Sequence, residues 1–189
     1  MLHVYMSMTR LLSALAILLL VIPAYSQIAA TAEETKSLAK GAKAPAGELH
    51  AADGKVIKLA ELAKAKPVAL VFYRGHWCPL CMRHLKKFET SAAAFKEAGY
   101  QLIAVAPDTV KQVEKTQAKL GLSYPLYADS DSTLAQAFGI AFKAKRNMTL
   151  PTPAVYVIAA DGTLVYAHAD ANYRKRLAPE MVLAALKKK

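Results

Sequence analysis

Cysteine is nearly absent from this 189-residue sequence, and the two present, Cys78 and Cys81, exclude both a disulfide-built mini-fold and an all-cysteine zinc site. Glycine is sparse at 8 residues, proline is no more than ordinary at 9, and no long polar tract occurs. Collagen-like repeats and extended disorder are therefore excluded. Acidic residues are also in short supply, 14 against 25 Lys and Arg, for a net charge of +11. The lysines are dispersed and lack interleaved aromatics, so the surplus reads as a solvated surface that favours acidic partners or membrane headgroups, not nucleic acid. No apolar run is long enough to span a bilayer: the longest, Leu11–Ala24, has 14 residues, against about 20 for a membrane helix.

What is present starts with an address. Arg10 precedes that apolar run, Pro23 breaks it, and Ala24-Tyr25-Ser26 offers small residues for cleavage before Gln27. This is the layout of a secretory signal peptide covering residues 1–26, with an uncleaved anchor as the alternative. The expected compartment is oxidising, most simply a bacterial periplasm. Loss of residues 1–26 removes only Arg10 among the charged side chains and leaves +10. Residues 27–43, polar and alanine-rich, read as a tether, and 44–189 as one domain.

Along that domain, strand and helix signals alternate. Glu48–His50 and Val56–Leu59 flank Asp53-Gly54, a hairpin turn pair. Val68–Tyr73 and Leu102–Ala106 are apolar runs suited to strands buried on both faces. Between them, Cys81, Leu85, Phe88, Ala92 and Phe95 form one helical stripe within 78–98, ended by Gly99. Asp108 is the expected N-cap of a helix reaching Leu120, and Asp131 that of a short helix reaching Phe138. Leu126–Ala128 is a short strand, Ala154–Ile158 and Leu164–Ala167 form a hairpin across Asp161-Gly162, and Pro179 opens the last helix. The pattern is α/β.

The chemistry lies in Tyr73–Cys81, YRGHWCPLC. A strand runs into a glycine turn, and Cys-Pro-Leu-Cys then opens a helix. A cysteine at a helix N-terminus meets unpaired N–H donors and the positive end of the dipole, which favours its thiolate. A spacing of three puts both sulfurs on one face. Cys81 continues the buried stripe while Cys78 stands at the exposed start, so Cys78 is the attacking thiol and Cys81 the resolving one. Pro79 fits the first helical position, where no N–H is needed. A structural disulfide, a zinc site with His76 and His84, and a copper site with a histidine or Met82 compete for the same residues. Covalent haem attachment is excluded because Met82, not histidine, follows Cys81.

From Gly41 to Leu186 the chain resembles the thioredoxin-fold AhpC/TSA (redoxin) family of peroxiredoxin-like proteins. The resemblance rests on GAKAPAGELHAADGKVIKLAEL, VALVFYRGHWCPLC, YPLYADSDSTLAQAFGI and LPTPAVYVIAADGTLVYAH. It implies a central mixed sheet flanked by helices, Cys78 at the nucleophilic position, and Pro153 as a cis-proline facing the cysteines. That proline would expose the Thr152 backbone to an incoming substrate strand, and Trp77 would pack at the rim. The chain departs from the main peroxiredoxin pattern at two positions. Gly75 stands where a threonine or serine precedes the cysteine, and Pro153 where an arginine precedes the last hairpin. Arg74 is the candidate replacement cation. Where thioredoxins bury an acid, this chain has Phe72; His76 is the candidate proton acceptor.

The expected activity is therefore that of an exported thiol peroxidase needing no cofactor and no metal, reduced by an external thiol or thioredoxin-like donor. The alternative is a protein thiol–disulfide oxidoreductase, and the third reading is a copper-binding redox module. Nothing in the sequence fixes the oligomeric state.

Overall fold

The computed structural model describes residues 28–187. The expected signal segment lies outside them. Among the described residues no helix is long and apolar enough to cross a membrane.

Among the described residues, nine strands and six α-helices follow one another as β1 (Glu48–Ala51), β2 (Val56–Lys58), α1 (Leu59–Ala65), β3 (Val68–Phe72), α2 (Pro79–Thr90), α3 (Ala92–Glu97), β4 (Gln101–Ala106), α4 (Val110–Leu120), β5 (Leu126–Ala128), α5 (Thr133–Ala137), β6 (Ala141–Lys143), β7 (Thr149–Pro151), β8 (Ala154–Ile158), β9 (Leu164–Ala169) and α6 (Pro179–Lys187). Seven strands form one mixed sheet in the order β2-β1-β5-β4-β3-β8-β9. The β3–β4 and β4–β5 pairs are parallel, and β3–β8 and β8–β9 antiparallel. The α/β reading with a central mixed sheet holds.

The period of two along each central strand builds two cores, one per face. Ala69, Val71 and Tyr73 join Ala104, Val155 and Val157 beneath α2, α4 and α6. Leu70, Phe72, Ile103, Val105 and Tyr156 face α1 and α5. Both layers must be covered for β3 to stay wholly buried, which is why the run has no polar residue.

Several local expectations change. Val56–Leu59 is a strand only to Lys58; Leu59 opens α1, and Leu59 and Ala63, one turn apart, bury against the second core. The stripe from Cys81 to Phe95 spans two helices that break at Ser91, on either side of which Phe88 and Phe95 stack at 5.9 Å. Asp108 does not cap α4. Thr109 does, in a capping box with Gln112, which frees the Asp108 carboxylate for the site below. Asp131 accepts the Thr133 N–H, but the N–H groups of Leu134 and Ala135 go to buried Asp129 at 2.9 and 3.0 Å. The expected tether is laced into the domain from Ile28 onward. Leu38 N–H donates to Phe138 O, Gly41 N–H donates to Leu164 O, and Ser37 Oγ lies 2.6 Å from the Tyr156 hydroxyl. The small hairpin β6–β7, unexpected from sequence, takes Ala29 along its outer edge through the bonds Ala29 N–H to Ala141 O and Lys143 N–H to Ala29 O.

Candidate active site

β3 ends at Phe72, and the chain turns through Arg74-Gly75-His76-Trp77 to deliver Cys78 to the start of α2. The turn is fixed from both sides. Cys78 N–H donates to Gly75 O at 3.1 Å, and the Asp108 carboxylate takes the His76 N–H and the His76 Nδ1, each at 2.8 Å. His76 is exposed and directed to Asp108, not to the sulfurs. Gly75 has φ +137°, and a Cβ there would stand 2.7 Å from Trp77 Nε1 and 3.1 Å from Asp108 Oδ1. This backbone thus excludes the threonine that the family pattern places here. Gly75→Thr is expected to destabilise the fold by about 1–3 kcal/mol, read as a lowered midpoint in denaturant unfolding.

Cys78 is the N-cap of α2, and its sulfur accepts the Cys81 N–H at 3.3 Å, with Pro79 in the first turn as expected. The expected exposure contrast between the two cysteines is corrected. Cys78 is 3% and Cys81 0% exposed, because the loop after β9 folds over them. Accessibility differs in another way: Cys78 lines a cleft of about 1020 Å³, and Cys81 does not. Both thiols are free.

Electrostatics separate the pair. The Cys81 thiol donates to the Cys78 sulfur and, with the Cys81 N–H and the charges of Arg176 and Arg74, holds the Cys78 thiol down to about 6 against the opposing effect of burial. The same shared proton and burial push Cys81 well above the ordinary thiol range. Cys78 is therefore the thiolate and Cys81 keeps the proton.

The cation that matters most was not visible in the sequence. Arg176, 98 residues beyond Cys78, places Nη2 3.9 Å from the Cys78 sulfur and 3.6 Å from the Cys81 sulfur. Its Nε and Nη1 are buried with no partner among the described residues. It is held there by His84, whose Nε2–H donates to the carbonyl of the next residue, Leu177, at 2.8 Å. Burial pushes the His84 pKa down to about 4, so the ring is neutral. His84 Nε2 is thus spent on Leu177 and His76 Nδ1 on Asp108, so the two histidines of the zinc alternative are turned to different partners.

Arg74, the expected replacement cation, adds its charge to Cys78 but mainly stacks, with its guanidinium carbon 5.2 Å from the Trp77 ring and 4.5 Å from the Tyr173 ring. Trp77 sits on the rim, 44% exposed. The proline expectation is overturned: no cis peptide bond occurs among the described residues. Pro153 lines the cleft beside Cys78 but is trans. Thr152 is 1% exposed, and its N–H donates to Ile140 O at 2.9 Å. The pairing of β6 with β7 has already consumed the backbone donor that an incoming strand would use. Arg176 and Tyr173 went unread because no spacing links them to the cysteines, and His84 was read only as a possible zinc ligand.

The AhpC/TSA family model matches residues 40–167 of this chain. The chain is 34% identical over 107 residues to peroxiredoxin Bcp of Bacillus subtilis, covering 57% of this chain and 67% of that protein. It is 31% identical over 127 residues to the chloroplastic peroxiredoxin Q of Gentiana triflora, covering 67% of this chain and 57% of the relative. It spans 57–58% of the length of that protein and its rice counterparts. Among solved structures, it is similar in fold to reduced Prx3 in complex with hydrogen peroxide from Vibrio vulnificus, with a TM-score of 0.74 and 20% identity over 79% of this chain and 99% of that one. Peroxidoxin BcpB from Mycobacterium tuberculosis gives 0.69 and 22% over 80% and 97%.

Proposed function

Because the chain belongs to the AhpC/TSA family, we propose that it is an exported, periplasmic thiol peroxidase in which Cys78 reduces a peroxide and Cys81 resolves the product. The Cys78 thiolate attacks one peroxide oxygen, the O–O bond breaks, and the other oxygen leaves as water or an alcohol after taking a proton. Cys78 is then a sulfenic acid. The Cys81 sulfur attacks it, its proton leaves with the hydroxide as water, and a Cys78–Cys81 disulfide forms. An external dithiol returns two electrons and two protons.

The observation that carries this reading is Arg176. A guanidinium within 3.9 Å of both sulfurs supplies a fixed positive charge beside the reacting sulfur in a low-dielectric place. It takes over the work of the threonine and arginine that Gly75 and Pro153 replace. The disulfide-exchange alternative keeps its Cys-Xaa-Xaa-Cys pair but loses the proline loop expected to guide a substrate strand, since the Thr152 N–H is spent and Pro153 is trans.

Stopped-flow oxidation of the reduced protein by hydrogen peroxide, read by Trp77 fluorescence, tests the reading. The expected rate lies orders of magnitude above that of a free thiol. It should rise with pH through the Cys78 transition near 6 and stay flat above it, because only the thiolate attacks. A rate no better than a free thiol's refutes it.

A further inference from the structure

The cleft over Cys78 is far larger than hydrogen peroxide requires. Its volume of about 1020 Å³ is that of sites holding sizeable ligands. Three of the five large hydrophobic side chains exposed among the described residues, Trp77, Met148 and Tyr173, line it. Apolar exposure is thus concentrated where Cys78 opens outward, as at an interaction surface.

Its charge is predominantly positive. Arg74, Lys143, Lys145 and Arg146 line the cleft, and Glu33 is the sole acid there. None of these cations is in an ion pair among the described residues, so their field is directed at an incoming molecule. Lys143 ends β6 and Lys145 and Arg146 lie in the turn after it, so three of the four cations come from one segment of the lining. Because Cys81 is 0% exposed and lines no part of the cleft, Cys78 Sγ is the sulfur a second thiol reaches once the pair is joined.

We infer that this cleft is the docking site of the reducing partner, a dithiol protein that presents an acidic face around its reactive cysteine. The inference rests on the peroxidase reading for its place in the cycle. One partner thiolate attacks Cys78 Sγ, the Cys78–Cys81 bond breaks, and Cys81 leaves as a thiolate beside Arg176 and is protonated. The partner's second thiolate then attacks its own sulfur in the mixed disulfide, releasing Cys78 thiolate. Two electrons pass to this protein, and the partner leaves as a disulfide.

The test separates docking from peroxide chemistry by forming the Cys78–Cys81 disulfide with diamide. Its reduction is then followed through Trp77 fluorescence with two synthetic Cys-Xaa-Xaa-Cys peptides, one flanked by glutamates and one by lysines. At low salt the acidic peptide is expected to react at least about tenfold faster, with the advantage shrinking in high salt. Lys143→Glu/Lys145→Glu, both at exposed positions, should reverse the preference while leaving hydrogen peroxide oxidation and reduction by dithiothreitol unchanged. Equal rates for the two peptides, or a preference that survives charge reversal, overturns the inference. So does a charge-reversed protein that loses cumene hydroperoxide oxidation but not peptide preference, since the cleft would then serve the peroxide. If the peptide pattern holds while peroxide oxidises the protein no faster than a free thiol, the docking site stands and the peroxidase reading falls.

Discussion

An Arg176→Met protein is expected to react with hydrogen peroxide about 10²–10³ times more slowly than the parent, the loss typical of removing one preorganised donor from a site where charge develops. Methionine keeps much of the buried stem's volume and removes the guanidinium, so the comparison isolates charge and hydrogen bonding. Two effects should separate in the pH profile. The rate plateau falls because the charge developing at the reacting sulfur and oxygens loses its nearest fixed cation, and the midpoint moves up because the thiolate loses the same charge. The upward move should be the smaller effect, since the Cys81 thiol contributes more to lowering the Cys78 pKa than Arg176 does. Arg176→Lys restores charge without the planar fork and should recover the midpoint better than the plateau. A plateau unchanged in Arg176→Met would remove the observation on which the proposed function rests.

The cysteine variants should divide the cycle into its two halves. Cys78→Ser is expected to abolish turnover, because a serine hydroxyl at this site is not ionised at neutral pH. Cys81→Ser should complete one oxidation and stop. Serine still donates to the Cys78 sulfur, so the thiolate and the first step survive, but no sulfur is present to displace hydroxide. The sulfenic acid should accumulate, trapped by dimedone and visible as a mass shift, and excess peroxide should drive it further up the oxidation ladder. Cys81→Ala removes the largest contribution to the low Cys78 pKa, so its oxidation should also require higher pH. Full multiple turnover in Cys81→Ser, with no added resolving thiol, would remove Cys81 from the mechanism.

The region around Cys78 was legible because its information is local. A buried strand, a glycine turn and a cysteine at a helix start are consecutive in the chain, and each acts through neighbours within a few residues. The same locality explains the errors. Asp108 reads as a helix cap, and a carboxylate one residue before Thr109 does satisfy the pattern, but the structure gives the cap to Thr109 and spends Asp108 on His76. Residues 27–43 read as a tether because they are polar and alanine-rich, yet Ile28, Leu38 and Ala42 pack on the second core. Pro153 reads as a cis-proline by resemblance, but the β6–β7 hairpin that binds Thr152 carries no sequence signal beyond three residues per strand.

By itself the sequence determined the α/β alternation, the two-faced burial of β3 and β4, and the placing of both cysteines at the start of one helix, since period and helix position depend on adjacent residues alone. Tertiary structure decided which cation serves that pair. Arg176 belongs to the loop between β9 and α6, with no motif around it, and reaches the sulfurs because α6 packs Val182 into the first core and His84 fixes the Leu177 carbonyl. Contacts across 95 and 98 residues arise from the closing of two layers on one sheet, and no local spacing encodes them.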